Sequence, residues 1–219
     1  MYWSRQKIKL FTKQMHPIPH MIQNRLYPNI IYPNNLLIDC RTRKRNIMSH
    51  SVKLIESPVG KLTLIARGKK LTAVLWEAEW ENYVKPDGII VEPDHPVLCE
   101  TEHQLSEYFA GKRRVFNLEL DFVGTDFQKR VWQALLTIPF GETRSYSDIA
   151  RQIGNEKAVR AVGAANGRNL ISIITPCHRV IGMDGSLTGF AGGLEAKRML
   201  LALEGIYPPE NCSRQQSLF

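Results

Sequence analysis

The segment Ile174-Thr175-Pro176-Cys177-His178-Arg179-Val180 begins at the end of an apolar run, residues 170–174, and places a thiol between a proline and a histidine. β-Branched residues dominate the run, and a proline removes a backbone donor and fixes φ. The pattern therefore predicts a short buried strand that ends at Pro176. Cys177 is expected where this strand gives way to a loop.

Cys177 and His178 form a candidate nucleophile and base. A free thiol has a pKa of about 8.5, which a neighbouring imidazole or cation lowers, and the thiolate is a strong nucleophile. The alternative is that Cys177 is a core thiol and His178 a loop histidine with satisfied hydrogen bonds, because adjacent residues of a strand face opposite ways. The pair alone leaves both interpretations open.

The surrounding motifs resemble one family, the O6-alkylguanine-DNA alkyltransferases, whose signature Pro-Cys-His-Arg-Val stands here at residues 176–180. The other matching segments are Arg160-Ala161-Val162-Gly163, Asn169, Gly192-Gly193 and Leu203-Glu204-Gly205. The resemblance runs from about residue 125 to residue 205, and more loosely back to residue 52. Several motifs in the right order are much harder to meet by chance than one.

Composition sets limits on the class of protein. The 219 residues suffice for one large domain or two small ones. The four cysteines are widely spaced, without a CxxC pair, and so indicate neither a disulfide framework nor a zinc site. A reducing cytoplasm fits this pattern best. No apolar run approaches the roughly 18 residues of a membrane span, so we expect no membrane partner.

The net charge of +8 is concentrated at the N-terminus. Residues 1–47 hold nine Lys or Arg and one acidic residue, nine minus one, so the rest of the chain is neutral. We predict that these residues are a disordered basic extension and that the functional chain starts at Met48. An organelle transit peptide and a basic DNA-binding tail are the two alternatives. Residues 208–219 are interpreted as a C-terminal tail.

Residues 48–123 are predicted to form a small α+β scaffold domain without chemistry of its own. Three runs rich in Val, Ile and Leu are separated by turn sequences and predict an antiparallel meander; they span residues 52–55, 61–66 and 71–76. A helix at residues 96–110 should end at Gly111, and a further strand should return at residues 116–122. The aromatic and acidic residues Trp76, Glu77, Trp80 and Glu81 are interpreted as surface and packing.

Residues 124–207 are predicted to be a second, helical domain. Thr125 and Gln128 form a capping box at the start of its first helix. The expected buried face of that helix is Phe127, Val131, Leu135 and Leu136. Two short helices, residues 145–153 and 157–166, follow and are joined by a glycine-containing turn, which is typical of a helix-turn-helix. A last helix at residues 194–204 should pack through Leu194, Met199, Leu200 and Leu203 and present Glu204.

The helix at residues 157–166 is unusually small-sided and lies in a locally basic region. Small side chains let a helix backbone approach a partner closely, although tight helix–helix packing would explain them equally well. A basic helix-turn-helix favours DNA. A sequence-specific regulator, however, would carry large polar residues on this helix to read base edges, and few are present.

The family resemblance implies a fold and a reaction. The fold would be an α+β one, with an N-terminal ribonuclease H-like antiparallel sheet domain followed by a helical, winged helix-turn-helix domain that binds DNA and carries the catalysis. The protein would flip O6-alkylguanine out of duplex DNA and transfer the alkyl group irreversibly to Cys177, once per molecule, with O4-alkylthymine as a second candidate lesion. His178 would remove the thiol proton through a water, Glu204 would hold His178 in the useful tautomer, and Asn169 would fix the backbone around the thiol. No metal or cofactor is required in the family.

The resemblance also implies how DNA is held. The small-sided helix would enter the minor groove, the side chain of Arg160 would fill the gap left by the flipped nucleotide, and Tyr146 would press on its phosphate and donate to guanine N3. The candidate DNA-contacting residues are Tyr146, Arg160, Ala161, Gly163 and Ala164. The candidate pocket residues are Tyr146, Val180, Phe190, Ala191 and Gly192. We expect a monomer with double-stranded DNA as its partner.

Two pocket positions depart from the family pattern, because Phe190 stands where tyrosine is common and Ala191 replaces a serine. A less polar pocket edge would admit bulkier alkyl groups.

Three rival functions fit the sequence less well. A non-catalytic lesion sensor would lack Cys177, a cysteine hydrolase would have no use for the helix-turn-helix, and a sequence-specific regulator would need a base-reading helix.

Overall fold

The computed structural model describes residues 49–86 and 88–206. The predicted extension at residues 1–47, the proposed start at Met48 and the C-terminal tail lie outside the described residues. A sheet half, residues 49–122, precedes a helical half, residues 125–206, which confirms the α+β fold class. Within the two described ranges, no helix is long and apolar enough to cross a membrane.

Three strands of the sheet half form the predicted antiparallel meander. They are β1 (His50–Ser57), β2 (Gly60–Arg67) and β3 (Lys70–Trp76). Ser57 pairs with Gly60 and Arg67 with Lys70, so both connections are tight turns. Gly60 adopts a φ of 110°, a conformation that a residue with a Cβ rarely adopts.

The sheet is mixed rather than wholly antiparallel. A short helix, α1 (Glu77–Asn82), leads to strand β4 (Ile89–Val91), which pairs parallel with β1 and gives the order β3-β2-β1-β4. The expectation of a purely antiparallel sheet is therefore wrong at this edge. The sequence carries a weak signal for β4 because the strand is only three residues long.

The prediction of a strand at residues 116–122 is also wrong. Only Leu120 makes a bridge, with Leu71 of β3. Phe116, Leu118, Leu120 and Phe122 nevertheless all pack against the main core. The alternation in the sequence thus reflects side-chain burial along an irregular segment that lacks the backbone ladder of a strand.

Both faces of the sheet are covered. Helix α2 (Pro96–Phe109) ends before Gly111, whose φ is 72°, close to its predicted limits. The α2 side holds the larger core, which includes Leu64, Leu98 and Tyr108. The opposite face packs Trp80 of α1 against a second cluster; its buried members are Val52, Ile65, Ala73, Leu75, Ile89 and Val91. Trp80 is thus a packing residue, as predicted.

The helical half follows the sequence prediction closely. Its elements are α3 (Asp126–Leu135), β5 (Arg144–Ser145), α4 (Tyr146–Gln152), α5 (Val159–Asn166), β6 (Val180–Ile181) and α6 (Gly193–Leu203). The capping box of Thr125 and Gln128 is present. Leu136 and Met199, however, are exposed, so their predicted packing is wrong. Leu136 lies beyond the last turn of α3 and therefore leaves the buried stripe.

Residues 170–174 do not form the predicted strand. Ile171 makes one bridge with Val74 of β3, and the chain then turns, with the Thr175 amide donating to the Ile171 carbonyl at 3.0 Å. Ile173 adopts a φ of 71°, which is strained for a β-branched residue. A buried turn and a buried strand have the same apolar signature, so the pattern could not separate them.

Candidate active site

Asn169 holds this turn in place. Its side-chain amide donates from Nδ2 to the carbonyl of Thr175 at 2.9 Å, and its Oδ1 accepts from the amide of Ile171 at 3.1 Å. The turn leads directly into a 3₁₀ turn, Cys177–Arg179. The thiol and the imidazole are therefore positioned by side-chain hydrogen bonds on a strained backbone.

The buried carboxylate of Glu204 is the centre of the site. Its Oε1 accepts hydrogen bonds from Tyr108 Oη at 2.7 Å, His178 Nε2 at 2.8 Å and Arg179 Nη2 at 3.0 Å. Its Oε2 accepts from Arg179 Nε at 2.8 Å and from the amide of Gly141 at 3.3 Å. Burial favours the neutral acid, but the hydrogen bonds and charges of His178 and Arg179 outweigh it and lower the pKa of Glu204 to about 2.

Glu204 fixes the tautomer of His178. An ionised carboxylate only accepts, so His178 Nε2 must carry a proton. Burial lowers the pKa of His178 and outweighs the hydrogen bond and the charge of Glu204, which act to raise it; the positive charges of Arg179 and Lys197 lower it further. The ring is therefore neutral at pH 7, and Nδ1 keeps its lone pair. Nδ1 is buried and has no hydrogen-bond partner in the part of the chain that the structure describes, so it is free to accept a proton.

Cys177 is 4% exposed. Burial raises its pKa, against a hydrogen bond from Asn169 and the positive charge of Lys197, both of which favour the thiolate. The expectation of a thiol made acidic by its neighbours is thus wrong for this site, because burial outweighs them. Cys177 needs a base before it can act as a nucleophile.

Lys197 is a site residue that the sequence did not indicate. It lies in α6, is fully buried, and donates from Nζ to the carbonyls of Val180 at 2.6 Å and Thr188 at 3.1 Å. Burial lowers the pKa of Lys197 to about 8. A lysine within an amphipathic helix is normally predicted to lie at the surface. Only the apolar residues beside it in the sequence could have indicated that Lys197 is buried.

Tyr108 and Arg179 were also missed. Tyr108 belongs to α2 of the sheet half, and burial raises the pKa of its hydroxyl well above the usual range. Arg179 also donates from Nη1 to the carbonyl of Ile138 at 2.6 Å. Arg179 stands inside the signature motif and could have been found there, whereas Tyr108 lies 96 residues from Glu204 and gives no local signal.

A cleft of about 490 Å³ lies between α5 and the loop that precedes α6. Its lining residues are Tyr146, Val159, Arg160, Gly163, Gly167, Thr188, Gly189, Phe190 and Ala191. Tyr146 Oη and Thr188 Oγ1 are 2.9 Å apart across it. Of the predicted pocket residues, Val180 and Gly192 lie outside this lining, since Val180 is buried and Gly192 packs against Trp76.

Helix α5 presents small residues to solvent. Arg160, Ala161 and Ala164 are exposed, and Gly163 lies under the Tyr146 ring, where an added Cβ would be 3.8 Å from the ring. The buried side of α5 is held by Val162 and Ala165, with Ala165 accepting a 2.9 Å hydrogen bond from Trp132 Nε1. The packing explanation for the small residues therefore holds for Ala165 and fails for the exposed ones.

The fold and this site define a class: a two-part α+β protein with a helix-turn-helix beside a buried cysteine and a His–Glu pair. Two family sequence models match the chain. The ribonuclease-like domain of 6-O-methylguanine DNA methyltransferase matches residues 52–122, and the DNA binding domain of the same family matches residues 126–206. The chain therefore belongs to the 6-O-methylguanine DNA methyltransferase family.

Individual relatives agree with this assignment. The methylated-DNA–protein-cysteine methyltransferase of Mycobacterium bovis is 53% identical over 152 residues, which cover 69% of this chain and 90% of the relative. The constitutive enzyme of Bacillus subtilis is 46% identical over 153 residues, which cover 69% and 93%. The crystal structure of Mycobacterium tuberculosis OGT in complex with DNA has a TM-score of 0.64 and 49% identity, and the match covers 71% of this chain and 92% of that one.

Proposed function

We propose that the protein repairs DNA by moving an alkyl group from guanine O6 to the sulfur of Cys177. The observation that carries this proposal is the buried Cys177–His178–Glu204 arrangement, in which Nδ1 of a neutral imidazole is free to accept a proton. The relatives are named for methyl transfer from DNA to a protein cysteine, which supports the same reaction here. O4-alkylthymine is a second candidate substrate.

The reaction balances without a cofactor. The Cys177 proton passes through a water to His178 Nδ1, and the imidazolium that forms is stabilised by the ionised Glu204. The sulfur then attacks the alkyl carbon, an S–C bond forms, and the C–O6 bond breaks. The departing guanine takes a proton from the Tyr146 hydroxyl, which lines the cleft. Tyr146 regains a proton from solvent as the His178 imidazolium releases its own. Lys197 stabilises the thiolate by its charge.

DNA binding is assigned to the helical half, and we propose that α5 enters the minor groove. Its exposed face is small, so the backbone can approach the duplex, and Arg160 stands at the rim of the cleft. Arg160 would occupy the gap left by the flipped nucleotide while the base enters the cleft beside Tyr146. The relative from Mycobacterium tuberculosis was crystallised with DNA, which supports this assignment.

The thioether on Cys177 has no route back to a thiol, so each molecule acts once. We propose a monomer in the cytoplasm in which residues 48–123 are a scaffold and residues 124–207 carry binding and chemistry. The scaffold contributes the hydroxyl of Tyr108 to the site. A non-catalytic sensor is disfavoured because it would not need Cys177 with a base held beside it.

The test uses a duplex with a single O6-methylguanine. After incubation with excess protein, nucleoside chromatography should show guanine in place of O6-methylguanine. Cys177→Ala should leave the lesion intact and still bind it, whereas Cys99→Ala, which changes a thiol in the sheet half, should repair normally. Repair by Cys177→Ala would refute the proposal, and binding without repair by the unaltered protein would establish the sensor function.

A further inference from the structure

Trp76 connects the sheet half to the cleft. It is the last residue of β3 and the N-cap of α1, and it is 4% exposed. Its indole meets the loop of the helical half that precedes α6. The Phe190 ring stands edge-on to it, with centroids 5.4 Å apart and an interplanar angle of 70°. The sheet half thus reaches the back of the cleft wall.

The contact with the loop is close along its backbone as well. A Cβ added to Gly192 would lie 2.5 to 2.7 Å from three atoms of the Trp76 indole, so the Gly192 backbone rests directly on the ring. Glycine is required here because any side chain would collide with a rigid bicyclic group that is itself buried. The loop cannot move toward the sheet half while this indole is in place.

Phe190 contacts two rings. One is Trp76, and the other is His178, whose ring centroid is 6.5 Å away in an edge-on arrangement. Phe190 also lines the cleft and packs against the cluster that contains Cys177. The space beside the thiol depends on the position of Phe190, and Trp76 prevents Phe190 from moving back.

Glu79 fixes Trp76 in turn. Its Oε2 accepts a 3.1 Å hydrogen bond from the backbone amide of Trp76, which closes the first turn of α1. The negative charge of Glu79 also acts to raise the pKa of the Cys177 thiol, after the larger effect of burial. The indole Nε1 has no partner among the described residues, so a substitution of Trp76 leaves no polar group newly unpaired.

We propose that Trp76 limits the size of the alkyl group that the protein can transfer. This inference rests on the proposed function and concerns the substrate range of the same site. Phe190 and Ala191 make an apolar edge that by itself would accept bulky groups, but the indole behind Phe190 keeps that edge from yielding. Methyl adducts need no such movement, and a benzyl adduct does.

The experiment compares transfer rates for O6-methylguanine and O6-benzylguanine in the same duplex, using the unaltered protein, Trp76→Ala and Trp76→Phe. Trp80→Phe is the matched control, because Trp80 is a similarly buried indole in the helix that Trp76 caps, and it packs in the cluster on the other face of the sheet. We expect Trp76→Ala to raise the benzyl-to-methyl rate ratio by about tenfold or more. Trp76→Phe should raise it less, and Trp80→Phe should leave it unchanged.

An unchanged ratio in both Trp76 variants would overturn the inference, and so would an equal rise in Trp80→Phe, which would indicate general loosening. If Trp76→Ala does not fold, judged by its thermal transition, the ratio in Trp76→Phe decides. Absence of methyl transfer by the unaltered protein would instead refute the proposed function, so the two failures are distinguishable.

Discussion

Replacing Glu204 by glutamine tests the electrostatic centre of the site. The substitution keeps the shape of the side chain but removes the charge that balances the buried Arg179 guanidinium. It also places an amide where both oxygens now accept from Tyr108, His178, Arg179 and Gly141. An amide group has one acceptor atom, so at least one of these donors must lose its partner.

The magnitude follows from the pKa of Glu204. Its fall from 4.5 to about 2 means that the folded protein favours the carboxylate by about 3 kcal/mol, at about 1.4 kcal/mol per pH unit. Breaking a buried ion pair by removing one partner costs about 3 to 5 kcal/mol, which agrees. We therefore expect the free energy of unfolding to fall by about 3 kcal/mol and the melting temperature by roughly 6 to 12 °C.

Methyl transfer should slow by more than the loss of folded protein explains. Without the carboxylate, the imidazolium that forms during proton transfer loses its counter-charge and His178 loses its enforced tautomer; the equivalent change in a serine protease triad costs about 10⁴-fold. We expect methyl transfer, measured by rapid quench below the melting transition, to slow by at least about 10³-fold. Tyr108→Phe is the control, because it removes one hydrogen bond and keeps the charge.

Methyl transfer by Glu204→Gln within about threefold of the unaltered rate would refute the orientation role of Glu204, since a loss of at least about 10³-fold is expected. Equal effects of Glu204→Gln and Tyr108→Phe on the rate would show that the charge is irrelevant. A large loss of stability with a normal rate would leave Glu204 a purely structural residue.

Three further predictions concern neighbouring groups. Asn169→Ala should lower the free energy of unfolding by roughly 2 to 4 kcal/mol in urea titrations, because it unpairs two buried backbone groups. A change below about 0.5 kcal/mol would show that the Asn169 side chain does not hold the turn in place. Arg160→Ala should weaken binding to a lesion duplex and reduce the slope of log affinity against log salt by about 1, measured by anisotropy, while Lys112→Ala in the sheet half should not. Stability should fall with acid, because Glu204 and His178 both have folded pKa values below their unfolded ones, so the unfolded chain binds more protons. The His178 share is lost as the pH falls below about 6.5 and the Glu204 share between about 4.5 and 2, and a stability that is constant from pH 7.5 to 4 would contradict this assignment.

Local hydrogen-bond motifs and long periodic helices were predictable from the sequence. The capping box of Thr125 and Gln128 specifies its helix within four residues, and the spacing of Cys177, His178 and Glu204 follows from the family motifs. These features depend on residues close in the chain or fixed by a motif, so no knowledge of the tertiary structure was needed.

Features that depend on tertiary contacts were not predictable. Tyr108 reaches Glu204 only because the two halves pack together, and the buried ammonium of Lys197 is satisfied by two carbonyls that accept its hydrogen bonds. The turn around Ile173 was predicted as a strand because a segment that is buried on all sides is a continuous apolar run, and such a run shows no periodicity that separates a turn from a strand. Trp76 was correctly assigned to packing, but the loop on which it packs lies more than 100 residues away.

The most direct test of the account is peptide mass spectrometry of the protein after incubation with a tenfold excess of duplex DNA that contains O6-methylguanine. The account predicts one added methyl group per molecule, on the peptide that contains Cys177, with no further repair after that site is filled. Methylation at another residue, or repair of several lesions per molecule with Cys177 unmodified, would contradict it.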